Sequence, residues 1–178
     1  DILLITHEHF DHCSIDDIQK IITNQTIVIT TEACKEKLSA VEPGRIETVK
    51  PRDKLAINDI EIEAVPAYNI NKFRSPGKPF HPKEENKLGF VLTIRGVRIY
   101  HAGDTDMIPE MNDLKPDIAL LPVSGTYVMT AEEAAEAVKR IKPNVAIPMH
   151  YQSIVGTNKD AEGFKNLASC KVCILEKE

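Results

Sequence analysis

His7-Glu8-His9-Phe10-Asp11-His12 places three histidines and an aspartate within six residues, and this run decides how the rest of the chain is read. Imidazole nitrogens and carboxylate oxygens are the usual ligands of a borderline divalent cation such as zinc. In extended backbone, residues two apart point to the same side, so His7 and His9 can face one ion together. Asp11 and His12 follow a sharp turn into a helix and would face a second ion beside the first. The chain holds only six histidines in all, so chance does not explain half of them in one short segment.

Upstream of the cluster, Ile2-Leu3-Leu4-Ile5 reads as a buried strand with no run-in, and Asp1 is not a methionine. Buried strands rarely open a natural chain, so the sequence is expected to be part of a longer product that lacks its N-terminal segment here. Downstream, Ser14 is a good N-cap for a helix through Ile22, with Asp16 and Asp17 in its first turn. Thr26 to Ile29 reads as a strand and Glu32 to about Ala40 as a helix. Three strands follow at Ile46–Val49, Lys54–Ile57 and Ile60–Val65, the last two joined across Asn58-Asp59 as a hairpin. Residues 67–87, with three prolines and four lysines, read as one long irregular loop of functional character. Strands resume at Leu88–Ile94 and Val97–Tyr100. Ile118–Val123 and Val145–Pro148 are continuous apolar runs, as a sheet covered on both faces requires. Helices are expected at Ala131–Ile141, opened by a Thr130/Glu133 capping box, and at about Asp160–Ala168. With no repeat, linker or low-complexity tract, residues 1–178 read as one α/β domain.

Composition narrows the function classes. A hydrophobic content of 42% and a charged content of 28% describe a globular domain, and a net charge of -5 argues against gripping a phosphate backbone. No apolar run approaches the ~20 residues of a membrane span. Cys13, Cys34, Cys170 and Cys173 are scattered rather than framed, which fits free thiols in a reducing, cytoplasmic setting. Cys170-Lys171-Val172-Cys173 has metal-like spacing, but it lacks a second pair and reads as the alternation of a terminal strand. The expected partner is a small-molecule substrate, with no nucleic acid and no membrane; homo-oligomerisation is compatible with the sequence.

Two further strand ends carry ligand chemistry. Val97–Tyr100 leads into His101-Ala102-Gly103-Asp104-Thr105-Asp106, where a glycine frees a carboxylate at the sheet edge. Val145–Pro148 leads into Met149-His150-Tyr151. Three strands thus each deliver a histidine or aspartate at one end.

Together these motifs resemble the metallo-β-lactamase superfamily, and more closely its branch of metal-dependent hydrolases related to ascorbate-phosphate lactonases. Val65-Pro66-Ala67-Tyr68-Asn69 and Gly125-Thr126-Tyr127 add to the likeness, which spans roughly residues 1–155. The resemblance implies a four-layer αβ/βα sandwich of two mixed sheets between helices, with metals at one edge and a β-rich N-terminal part absent from this chain. Carried over by position, it implies His7 and His9 on the first metal, Asp11, His12 and His150 on the second, and Asp104 bridging. One or two divalent ions follow, zinc first, with manganese or iron as alternatives.

The family's third histidine on the first metal has no counterpart at Ala67-Tyr68-Asn69, where asparagine stands instead. His81 is the one histidine left to replace it, as ligand or as substrate contact, and Asn69 is a poorer zinc ligand. His101 is expected to orient a ligand from behind through a hydrogen bond. The implied reaction is hydrolysis of a small, anionic ester, lactone or phosphoester by a metal-activated water, with Asp104 and Asp11 catalytic and Asp11 taking the proton. Lys72, Arg74, Lys78 and Lys83 would attract the anion, and Tyr68, Tyr127 or Tyr151 would donate to an oxyanion. An iron-dependent redox enzyme and an RNA-processing nuclease are the alternatives on the same scaffold. The all-histidine first pair and the acidic charge balance speak against them.

Overall fold

The computed structural model describes residues 1–176. Three buried apolar clusters alternate with four layers of secondary structure, and this alternation is the fold. The smaller sheet contains β1 (Ile2–Leu4), β2 (Ile27–Thr30) and β3 (Arg45–Thr48), in that order and all parallel. On its outer face lie α1 (Ile15–Ile21) and α2 (Glu32–Lys37), packed through Ile18, Cys34, Val28 and Ile5. Each of these short helices is capped at its N-terminus by a hydroxyl, Ser14 accepting from the Asp17 N–H and Thr31 from that of Cys34.

The larger sheet is mixed. Its strands are β4 (Lys54–Ile57), β5 (Ile60–Pro66), β8 (Leu88–Ile94), β9 (Val97–His101), β10 (Ile118–Pro122), β11 (Val145–Met149) and β12 (Lys171–Val172), paired in the spatial order β12-β11-β10-β9-β8-β5-β4. Period-two alternation decides which side chains fill which core. Leu88, Phe90 and Leu92 of β8 join Ile62 and Ala64 of β5 in the core between the sheets, where Ile29 of β2 meets them. Val91 points the other way, toward the outer helices. Those are α3 (Ala131–Ile141) and α4 (Asn158–Leu167). The buried face of α3 is Ala134, Ala135, Ala137, Val138 and Ile141, small enough to let the helix lie close to the sheet.

Most expected elements are present within a residue or two, and the αβ/βα layering holds. Three differences stand out, two of them with clear causes. The smaller sheet is wholly parallel among the described residues, whereas two mixed sheets were expected. Residues 67–87 are not irregular throughout: β6 (Phe73–Ser75) and β7 (Lys78–Pro79) pair antiparallel across Pro76-Gly77, with Gly77 at φ +73°. Proline followed by a left-handed glycine is the sequence of a type II turn, and it joins the two short strands. Finally, α4 starts before Asp160, because Thr157 and Asp160 form a capping box.

The topology sends one set of loops to one place. β5, β9, β10 and β11 run parallel to one another, since β8 is antiparallel to both β5 and β9. Their C-terminal ends therefore share a sheet edge, where ligands of open α/β sheets gather.

Candidate metal centre

Five of the six histidines meet at that edge with two aspartates. His7 follows β1, His81 sits on the long excursion after β5, Asp104 follows β9 and His150 follows β11. Ring centroids lie 4.1 Å apart for His7–His12, 4.6 Å for His7–His9, 5.1 Å for His9–His81 and 5.7 Å for His12–His150. The ligand atoms form two groups, His7, His9, His81 and Asp104 in one and Asp11, His12 and His150 in the other, each spaced to hold an ion.

Asp104 lies between the groups. Its Oδ2 is 3.2 Å from His150 Nε2, 3.4 Å from His81 Nε2 and 3.8 Å from His7 Nε2, while Oδ1 is 3.2 Å from His12 Nε2. Burial alone would raise its pKa, but the close approach of His12 and His150 outweighs this and holds the carboxyl well below the usual range. Local backbone places it: Gly103 is at φ +64°, and a Cβ there would lie 2.3 Å from the Leu88 carbonyl oxygen. Only glycine allows the turn to pass so close to β8.

The histidines are neutral where they are deepest. Burial, with His12 beside it, drives the His7 pKa far down, and burial brings His81 down to about 4. For His150, burial lowers and the Asp104 hydrogen bond raises, and the net direction is up. Three of the five rings are fixed from behind, as metal-bound imidazoles are. Thr6 Oγ1 lies 3.0 Å from His7 Nδ1, Asn69 Oδ1 2.9 Å from His81 Nδ1, and Ser124 Oγ 3.1 Å from His150 Nδ1.

The residues fit a cation on the evidence of their own unmet needs. His12 Nε2, His81 Nε2 and Asp104 Oδ1 are buried without a hydrogen-bond partner, although buried polar atoms are as a rule paired. His7 Nε2 and His9 Nδ1 face each other at 3.1 Å. Two such nitrogens share a proton or a cation between them. A set of imidazoles and carboxylates matches zinc and its neighbours in the first transition series.

Two hollows flank the cluster, one of about 280 Å³ against Asp11, His12, Asp104 and His150, the other of about 470 Å³ against His9, Asp11, His81 and Asp104. A family profile described as beta-lactamase superfamily domain matches residues 1–150. The chain belongs to the beta-lactamase superfamily. Relatives 30–36% identical to this chain are UPF0173 metal-dependent hydrolases. The chain is 36% identical over 174 residues to the UPF0173 metal-dependent hydrolase of Thermoplasma acidophilum, covering 94% of this chain and 73% of that one. A crystal structure of a Parabacteroides distasonis protein assigned as a metal-dependent hydrolase superposes with TM-score 0.82 at 38% identity, over 99% of this chain and 76% of that one. A metallo-beta-lactamase fold protein from Bacillus subtilis has TM-score 0.73 at 13% identity, over 99% of this chain and 75% of that one, a likeness of fold alone. This superfamily member is thus an enzyme of the metal-dependent hydrolase class.

The remaining candidates fall into place on this superfamily scaffold. All six residues expected as ligands from the motifs converge, and His81 joins them. Asn69 is buried and bonded to the back of His81 rather than facing the cluster. His101 acts on the backbone rather than on an imidazole: its Nδ1 accepts the backbone N–H of Gly103, bracing the turn that carries Asp104. Of the four loop cations, only Arg74 lines a hollow, its guanidinium 5.7 Å from the Phe80 ring centroid. Lys72 is 2.7 Å from Glu133 and Lys83 2.7 Å from Glu110, so neither faces the cluster. Tyr68 spends its hydroxyl on Glu110 at 2.8 Å, whereas Tyr127 and Tyr151 each line a hollow. Lys37, on α2, also lines the larger hollow; nothing in its local sequence marked it. Among the described residues, no helix is long and apolar enough to cross a membrane.

Proposed function

We propose that His7, His9, His81 and Asp104 hold one divalent cation and that Asp11, His12, His150 and the same Asp104 hold a second, zinc being the first choice of metal with manganese or iron as alternatives. The reaction is hydrolysis of a small ester, lactone or phosphoester that carries an anionic group. The observation that carries this reading is the central carboxylate, with atoms 3.2–3.4 Å from His12, His81 and His150 and so within reach of both groups. When bound, such a cation supplies Lewis acidity, which acidifies water and polarises the electrophile.

The chain's own residues do the rest. Asp11 borders both hollows, so its carboxylate can take a proton from water on either side. Tyr127 and Phe80 stack edge to face at 4.6 Å and wall off one side of the larger hollow. Arg74, held on Phe80, offers a guanidinium to the far end of a substrate whose reactive centre lies at Asp104. Hollows of this size suit a small molecule rather than a polymer.

The test is removal and return of metal. Chelated protein should lose hydrolysis of a panel of lactones, esters and phosphodiesters, and zinc, manganese or iron(II) should restore it. Full activity in the chelated protein overturns the reading.

A further inference from the structure

Lys87 is a deeply buried charge paired with the motif that supplies the candidate centre, without belonging to that centre. It is 1% exposed, and lysine is almost never so buried unless paired. Its ammonium lies 2.5 Å from Glu8 Oε1 and 3.0 Å from Glu85 Oε2. Glu8 stands between His7 and His9 in the motif, and its own carbonyl accepts from Lys37 Nζ. Backbone bonds converge on the same spot. The Lys87 carbonyl accepts from Ala67 N–H and closes the base of the excursion that carries His81, while the next residue, Leu88, donates to the Thr6 carbonyl. One lysine thus joins the motif turn to both ends of the loop.

We infer that the Glu8–Lys87 ion pair is a positioning device for the His7, His9 and His81 group, holding the motif turn and the His81 loop at ligand spacing before an ion arrives. An apolar pair would fill the same space, and buried ion pairs are often no more stabilising than such a replacement. What the charges add is direction. Lys87 holds the carboxylate that stands between His7 and His9 in the motif, on the side of the turn away from the ligand atoms. The other group is outside the device: Asp11, His12 and His150 make no bond to Lys87 or Glu8. The inference rests on the metal reading above.

The test is calorimetric titration of zinc into the full chain stripped of metal. His81→Ala marks which binding step belongs to the first group. Lys87→Met and Glu8→Gln should each weaken that step about tenfold or more, the scale of losing an outer-shell support, and leave the other step within about twofold of wild type. The double variant should lose no more than either single one, because the pair acts as a unit. Should Lys87→Met fail to fold, Glu8→Gln, which keeps an oxygen for the lysine, still decides the matter. Equal weakening of both steps, in parallel with a lower melting temperature of the metal-free protein, would reduce the pair to general stability and overturn the inference; so would two unchanged steps. Wild-type protein that binds no zinc, manganese or iron(II) would instead overturn the metal reading itself.

Discussion

The side-chain oxygen of Asn69 accepts two hydrogen bonds from His81, one from its backbone N–H at 2.8 Å and one from Nδ1 at 2.9 Å. The amide cannot be turned around, because its nitrogen donates to Asp106 Oδ1 at 3.2 Å and to the Tyr127 carbonyl at 2.8 Å. An oxygen acceptor facing Nδ1 requires that Nδ1 carry the proton. The lone pair is then on Nε2, which faces Asp104 and has no other partner. The asparagine that stood where a histidine was expected is therefore the residue that aims the replacement histidine.

Asn69→Ala should weaken zinc binding at the His81-containing group by about 10–100-fold, the usual cost of removing such support. Asn69→His should weaken it as well, although histidine is the better zinc ligand. A ring in that buried slot cannot both accept from His81 and donate to Asp106 and Tyr127. Zinc titration of the two variants checks this; wild-type affinity in Asn69→Ala would mean that packing alone holds His81.

Asp104→Ala should lower kcat by about 10³-fold or more, equivalent to the several kcal/mol that a well-placed Lewis acid contributes. Circular dichroism should show the fold retained, since Asp104 belongs to no apolar cluster. Near wild-type turnover would show that the central carboxylate is not shared between two ions.

Gly103→Ala should destabilise the protein by about 2 kcal/mol or more, because the left-handed backbone and the Leu88 carbonyl both exclude a Cβ. Activity should fall with it, as the turn carrying Asp104 must shift. Thermal melting and kcat measured on the same preparation test the link. A variant with normal melting but lost activity would separate the two effects.

Arg74→Gln should raise KM about tenfold for a carboxylate- or phosphate-bearing substrate, the low end for a charged hydrogen bond because Arg74 is exposed. A neutral ester of the same shape should be hydrolysed as before. Equal effects on both substrates would move the anion-recognising group elsewhere, with Lys37 the next to examine.

Much of this architecture was legible from local chemistry. The Thr130/Glu133 box fixed where α3 begins, the apolar runs at Ile118 and Val145 read as sheet interior, and the motif brought His7, His9, Asp11 and His12 together within one turn. Such signals are short-range, set by neighbouring side chains and backbone. The type II turn at Pro76-Gly77 is equally local, but the prolines around it remove ladder donors and mask the strand pattern of its two short arms.

The sequence by itself determined the ligand chemistry and the strand ends that could supply it, because spacing of two in extended chain and glycine before aspartate are constraints of the backbone alone. Tertiary structure alone decided which loop residues meet them. His81 arrives from a loop whose path depends on Asn69, Lys87 and a β-hairpin, contacts between residues 12 to 79 positions apart in the chain. Of the four loop cations expected to attract an anion, packing turned Lys72 and Lys83 to acidic partners and left Arg74 over the hollow. A side chain's charge is written in the sequence, but its partner is chosen by whichever opposite charge the fold brings within reach.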